Sequence, residues 1–152
     1  SWYEAIAFCH LLSAETGETV NLPSEAQWER AVRHTDGRTY PWGDDFAATR
    51  CNMRDSGLAQ PSPVGLFPTG NAACGAADLA GNVWEWCATP WRSTYEADAH
   101  AVDNAQTGVE RRVLRGGSWA NEQHLVRCAH RHRNYPDHWG PNVGFRVVAL
   151  HP

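Results

Sequence analysis

The sequence predicts a single loop-rich α+β domain, and three observations support that prediction. Two stretches near the N-terminus have helical periodicity, short β-type runs fall mainly in the second half, and residues 35–80 show no strong periodicity. The 152 residues include eight tryptophans, thirteen glycines and nine prolines. This composition indicates irregular packing in which large rings fill the space between a few short elements.

Two helices are predicted, each with its own end signals. Residues 2–13 carry an apolar face at helical spacing, and Gly17 stands where a helix C-terminus favours glycine. Residues 19–22 are predicted to be extended. Ser24 and Gln27 form a capping-box pattern for a second helix that ends near His34. The buried residues are expected to be Trp2, Ala5, Ile6, Phe8, Cys9 and Leu12 in the first helix and Ala26, Trp28, Ala31 and Val32 in the second.

Four later segments are predicted to be strands, because each is rich in β-branched, aromatic or alternating residues. They are residues 83–87, 112–114, 126–132 and 145–150. The polar residues 93–108 are expected to form a mobile surface loop. All of these elements belong to one domain over residues 1–152, since this length suffices for one buried core.

The net charge and the spacing of the cysteines argue against several classes of function. The formal net charge of −4 argues against a nucleic-acid partner, and no apolar run is long enough to span a bilayer. The five cysteines are scattered without a CxxC pair, so neither a complete disulfide framework nor a zinc cluster is predicted. Buried free thiols are the expected state. Compartment stays open, with a soluble, cytoplasmic location slightly favoured.

Several strings of residues resemble the formylglycine-generating enzyme (sulfatase-modifying factor) family. They are LPSEAQWE at 22–29, YPWG at 40–43, GNVWEW at 81–86, RVLRGGSW at 112–119 and NVGFRVV at 142–148. The resemblance implies an irregular fold related to C-type lectins, with two helices packed on small antiparallel sheets. It also implies that the N-terminal portion usual in the family does not precede the first helix here.

The same resemblance bears on catalysis. Oxidases of the family use two cysteines shortly after the Gly-Gly-Ser motif to bind copper, and soft thiolates suit Cu(I). Residues 120–126 after Ser118 contain no cysteine, and Cys128 stands alone within a predicted strand. Copper is therefore not expected. Other oxygen chemistry stays open, because the iron histidines of the related sulfoxide synthases lie largely in a separate domain.

Calcium is the cofactor that the resemblance implies. At one site, Asp78 and Glu85 would give side-chain oxygens and Gly81 and Val83 would give carbonyls, which suits an ion that prefers hard oxygen ligands. The alternative is that Asp78 caps a turn and Glu85 pairs with an arginine. The second implied site has the ligand candidates Asn52, Met53 and Asp55.

The closing segment also resembles the variable region of proteins diversified by retroelements, in which adenine-rich Asn codons are mutated on a C-type-lectin-like surface. Trp139 can be reached from an Arg codon by adenine changes. The other positions that stand where such Asn residues would be, each reachable by adenine changes alone, are Ala120, His124, His130, His132, Tyr135, His138, Gly140 and Pro141. The predicted ligand-binding surface, called here the candidate face, consists of Ala120, His124, His130, His132, Tyr135, His138, Trp139 and Pro141.

These patterns predict a non-catalytic domain that binds a protein or other macromolecular ligand. Tyr and Trp give rigid contact area and His gives adaptable hydrogen bonds, as recognition surfaces require. Four alternatives remain open. They are ordinary drift within the family, a metal pair at His130 and His132, an oxidoreductase with Ser118 and Cys128 near its site, and a regulatory domain of a larger protein. The tryptophans 84, 86 and 119 and the arginines 127, 131 and 146 are expected to be structural.

Overall fold

A computed structural model describes residues 1–95, 100–103 and 108–150. It has two helices, α1 (Trp2–Thr16) and α2 (Glu25–Arg33), and six strands. The strands are β1 (Thr19–Asn21), β2 (Trp84–Pro90), β3 (Arg112–Arg115), β4 (Arg131–Asn134), β5 (Val143–Phe145) and β6 (Val148–Leu150). The predicted loop 93–108 lies in part outside the described residues. No helix in the described ranges has the length and apolar character needed to cross a bilayer.

Both helices begin and end on local signals. The Ser24 hydroxyl accepts from the Gln27 backbone N–H while the Gln27 side chain accepts from the Ser24 N–H, so the predicted capping box is confirmed. Gly17 closes α1 with φ 74°, a left-handed conformation that favours glycine. The exposure of Phe8 was predicted wrongly. It is 45% exposed and packs edge-on against Phe145 rather than entering the core.

The main sheet has four strands in the order β4-β3-β2-β5, and β1 pairs with β6 in a separate two-stranded sheet. β4 is an edge strand, antiparallel to β3, and β5 runs parallel to β2. The main sheet is therefore mixed rather than purely antiparallel. One of its faces packs on α1 through Trp2, Ile6, Trp86 and Leu114, and the other face packs on Trp28 and Val32 of α2.

Two strand predictions were wrong in their boundaries. Residues 126–130 form turns, and pairing with β3 begins only at Arg131. Cys128 is buried in the core beside α2, so it does not share an exposed strand face with His130 and His132. The predicted strand 145–150 is divided into β5 and β6, which belong to different sheets.

Candidate functional site

The candidate face lies along the edge of the main sheet and on the loop that follows β4. Six of its eight residues have exposed side chains: His124, His132, Tyr135, His138, Trp139 and Pro141. Ala120 and His130 are half-buried. The carbonyl of Ala120 accepts a hydrogen bond from Arg54, which places this residue beside the turn at Arg54–Ser56.

Backbone hydrogen bonds hold the loop 135–142 in place. The Trp2 N–H donates to the Pro136 carbonyl at 2.9 Å, which ties the loop to the start of α1. The Trp84 N–H donates to the Asn142 carbonyl at 2.9 Å, which ties it to β2. The loop also has its own turn, because the His138 N–H donates to the Tyr135 carbonyl. These bonds fix the backbone without using the side chains of the candidate face.

His130 and His132 lie against the ring of Trp84. Their ring centroids are 5.7 and 5.1 Å from that of Trp84, with tilted planes. Trp84 itself is almost fully buried, as predicted for a core residue. The buried Trp84 ring that contacts both imidazoles is called here the floor of the candidate face.

The charge state of these histidines follows from their surroundings. Partial burial lowers the pKa of His130, and the neighbouring His132, His124 and Arg115 lower it further. Partial burial also lowers the pKa of His132, with contributions from Arg133 and His138. Both imidazoles therefore carry less positive charge at pH 7 than an unperturbed histidine, and they gain charge as the pH falls.

Beside this floor, an open cleft of about 290 Å³ is lined by Asn134, Tyr135, Asp137, His138 and Trp139. Trp139 is 79% exposed and Tyr135 is 52% exposed. The guanidinium of Arg111 stands 4.7 Å above the Tyr135 ring and also donates to its hydroxyl. Sequence patterns did not single out Arg111, Asn134 or Asp137, and only their nearness in the chain to the candidate positions could have indicated them.

Ser118 and the thiols do not form a site together. The Ser118 hydroxyl is fully buried, donates to Asn121 Oδ1 at 2.8 Å and accepts from the Asn142 side chain. Burial raises the pKa of the Cys128 thiol to about 12, and it raises that of Cys51 to about 12 as well. The prediction that most thiols are buried is confirmed, with Cys74 exposed. A buried thiol of this kind is a poor source of thiolate.

The first predicted calcium site shows its carboxylates in one cleft. Asp78, Val83 and Glu85 line it together with Arg146, whereas Gly81 is not among its lining residues. Both Glu85 oxygens accept from Arg146 at 2.6 Å, and one also accepts from Trp28 Nε1. Asp78 accepts from the Gly65 N–H. Both alternative contacts, a turn for Asp78 and an arginine for Glu85, are thus present, and they compete with an ion for the same oxygens.

At the second predicted calcium site, the oxygens of Asn52 and Met53 already accept hydrogen bonds. The Ser56 hydroxyl lies 2.9 Å from Asn52 Oδ1 and 2.8 Å from the Met53 carbonyl. The Asn52 carbonyl accepts from the Asn82 N–H at 2.7 Å. Asp55 belongs to the short turn of 3-10 helix that follows. Within the described ranges, no group of three or more His, Cys, Asp or Glu side chains is arranged to hold a metal ion. His130 and His132 therefore have no third ligand of these types among the described residues.

Comparison with known proteins decides the family. The model of the sulfatase-modifying factor enzyme 1-like domain matches residues 1–150. The chain belongs to this family. This match confirms the family resemblance of the sequence motifs. The predicted C-type-lectin-like fold and the likeness to a variable protein are confirmed by the solved structure described next.

This sulfatase-modifying factor domain is similar both to a protein named as inactive and to a protein named as an oxygenase. It is 37% identical to the inactive C-alpha-formylglycine-generating enzyme 2 of Mus musculus, over 98% of this chain and 47% of that protein. It is 35% identical to the hercynine oxygenase of Mycobacterium tuberculosis, over 90% of this chain and 32% of that protein. The chain thus spans 47% and 32% of the length of these two relatives. The solved structure of Treponema denticola variable protein 1 superposes with a TM-score of 0.81 at 25% identity, covering 100% of this chain and 69% of that one.

Proposed function

We propose that this sulfatase-modifying factor domain is a non-catalytic ligand-binding module that uses the candidate face to hold a macromolecular partner. One observation carries the proposal: the backbone of the loop 135–142 is anchored to α1 and β2, while Tyr135, His138 and Trp139 are exposed. A fixed backbone with exposed side chains allows side-chain replacement without loss of the fold. Likeness to a variable protein supports the same role.

The residues around Ser118 support this proposal over thiol-based oxidation. The Ser118 hydroxyl is buried and hydrogen-bonded, and the nearest cysteine along the chain is buried with a raised pKa. An oxygenase role is the second candidate, favoured by 35% identity to a hercynine oxygenase. Metal analysis of the purified protein separates the two: stoichiometric iron or copper would favour the oxygenase, and neither metal is expected here.

The first test of the proposal is the paired replacement Tyr135→Ala and Trp139→Ala. Because both side chains are exposed, we expect the free energy of unfolding to change by less than about 1 kcal/mol. The matched control is Trp28→Ala, which removes a buried ring and should cost about 3–5 kcal/mol. Urea unfolding followed by tryptophan fluorescence and circular dichroism measures both. An unfolded double variant would place these residues in the core and remove the binding proposal.

We also propose one calcium ion in the cleft of Asp78 and Glu85. Carboxylate oxygens and the adjoining backbone are the donors that calcium requires, but Arg146 shares Glu85 and lowers the net negative charge. Weak binding is therefore expected, with a Kd on the order of 10⁻⁴ M. Calorimetric titration after chelator treatment measures it, and Asp78→Asn should abolish it while Asp55→Asn should not. A flat titration of the unmodified protein would remove calcium from this account.

A further inference from the structure

The segment that carries the candidate face differs in charge from the rest of the chain. Between residues 111 and 146 there are seven arginines and four histidines but only two acids, Glu122 and Asp137, whereas the whole chain has a net charge of −4. Four of these arginines, at positions 112, 115, 131 and 146, form ion pairs with acids outside the segment. The other three, Arg111, Arg127 and Arg133, are exposed.

One of the two acids of this segment, Glu122, is paired with a base outside the segment. Glu122 accepts from Arg54 at 2.6 Å, and its second oxygen lies 3.8 Å from His124 Nδ1. Asp137 lines the open cleft beside His138. Four further groups lower the pKa of His130 and His132, namely His124 from the turn before β4, Arg115 from β3, Arg133 from β4 and His138 from the loop. All four are bases.

From this geometry we infer that the candidate face takes an acidic protein segment, and that it binds such a segment more tightly as the pH falls. This inference rests on the proposed binding function. Arg111 stacked on Tyr135 offers a planar donor for carboxylates next to an aromatic contact. His130 and His132, which contact the apolar ring of Trp84, add positive charge on acidification.

The probe for this inference is a fluorescein-labelled deca-aspartate peptide, measured by anisotropy with the full chain at pH 7.5 and pH 5.5. We expect the peptide to bind at both pH values and about fivefold more tightly at pH 5.5, since several weak charge pairs are added. A deca-glutamine peptide should not bind. Failure of deca-aspartate to bind, or equal affinity at the two pH values, would overturn the inference.

Two variants show whether the candidate histidines cause the pH effect. The double replacement His130→Asn and His132→Asn should reduce the gain from about fivefold to about twofold, because His124 and His138 of the candidate face remain. His10→Asn is the matched control, because His10 is exposed on α1, and it should keep the gain. An unchanged pH effect in the double variant would contradict the inference.

Other outcomes separate the kinds of failure. An oligothymidylate of ten nucleotides that binds as tightly as deca-aspartate would show that the face responds to any polyanion, and the assignment to acidic protein would be wrong. If deca-aspartate fails but a library of the candidate face yields specific binders, only the partner chemistry is wrong. If both fail, the proposed function fails with it.

Discussion

Replacing Glu25 with alanine should destabilise the domain by about 3–5 kcal/mol, because Arg131 loses its carboxylate partner and the buried Arg115 keeps only one of its two carboxylates, Glu29. Glu25 is fully buried on α2 and accepts from Arg131 through both oxygens, at 2.6 and 2.7 Å. It also accepts from Arg115, whose side chain is fully buried, at 3.2 Å. This carboxylate therefore joins α2 to β3 and β4 underneath the candidate face.

The matched control for Glu25→Ala is Glu15→Ala, which removes an exposed carboxylate from α1 and should change the unfolding free energy by less than about 0.5 kcal/mol. Urea denaturation of both variants gives the comparison. Since Arg131 is flanked by His130 and His132, Glu25→Ala should also speed hydrogen exchange in β4. A loss below about 1 kcal/mol for Glu25→Ala would show that this network does not hold the sheet to α2.

The second large effect is expected for Glu85→Ala. Glu85 is buried on β2 and accepts from Arg146 through both oxygens and from Trp28 Nε1 at 2.6 Å. Its removal leaves the Trp28 indole N–H without this acceptor and leaves Arg146 with the Ala77 carbonyl but no carboxylate, which should cost about 3–5 kcal/mol. Glu122→Ala is the control, because it breaks an exposed ion pair with Arg54 and should cost less than about 1 kcal/mol.

A double-mutant cycle sharpens the Glu85 test. If Glu85 and Arg146 act mainly on each other, Glu85→Ala combined with Arg146→Ala should be less destabilising than the sum of the two single changes, by about 1 kcal/mol or more. Thermal or urea unfolding of the four proteins gives the coupling. Additive losses would mean that the carboxylate is held chiefly by Trp28 or by an ion, and the calcium titration would then decide between these partners.

Local signals in the sequence predicted the helices well. The capping box of Ser24 and Gln27 and the glycine after α1 act within a few residues, so their effect can be foreseen from the chain alone. The strand boundaries depend on distant partners. Val126 and Cys128 alternate like strand residues, but turns bury them: the Cys128 N–H bonds to the Thr39 carbonyl instead of to a neighbouring strand.

The division of the last strand has a similar cause. Arg146 lies between β5 and β6 and reaches Glu85, sixty-one residues earlier, so the chain leaves the main sheet at that point. Spacing along the chain cannot indicate a pairing of that range. For the candidate face, codon reasoning selected the positions, but only the structure shows that Trp84 forms their floor and that Arg111 stacks on Tyr135.

We expect that the candidate face can change its side chains and its ligand while the fold stays constant. The most direct measurement is selection from a displayed library in which Ala120, His124, His130, His132, Tyr135, His138, Trp139 and Pro141 are randomised, with hen lysozyme as the test ligand. We expect folded variants that bind lysozyme specifically and melt within a few degrees of the parent protein. A library in which most variants are unfolded, or which yields no specific binder, would contradict the claim.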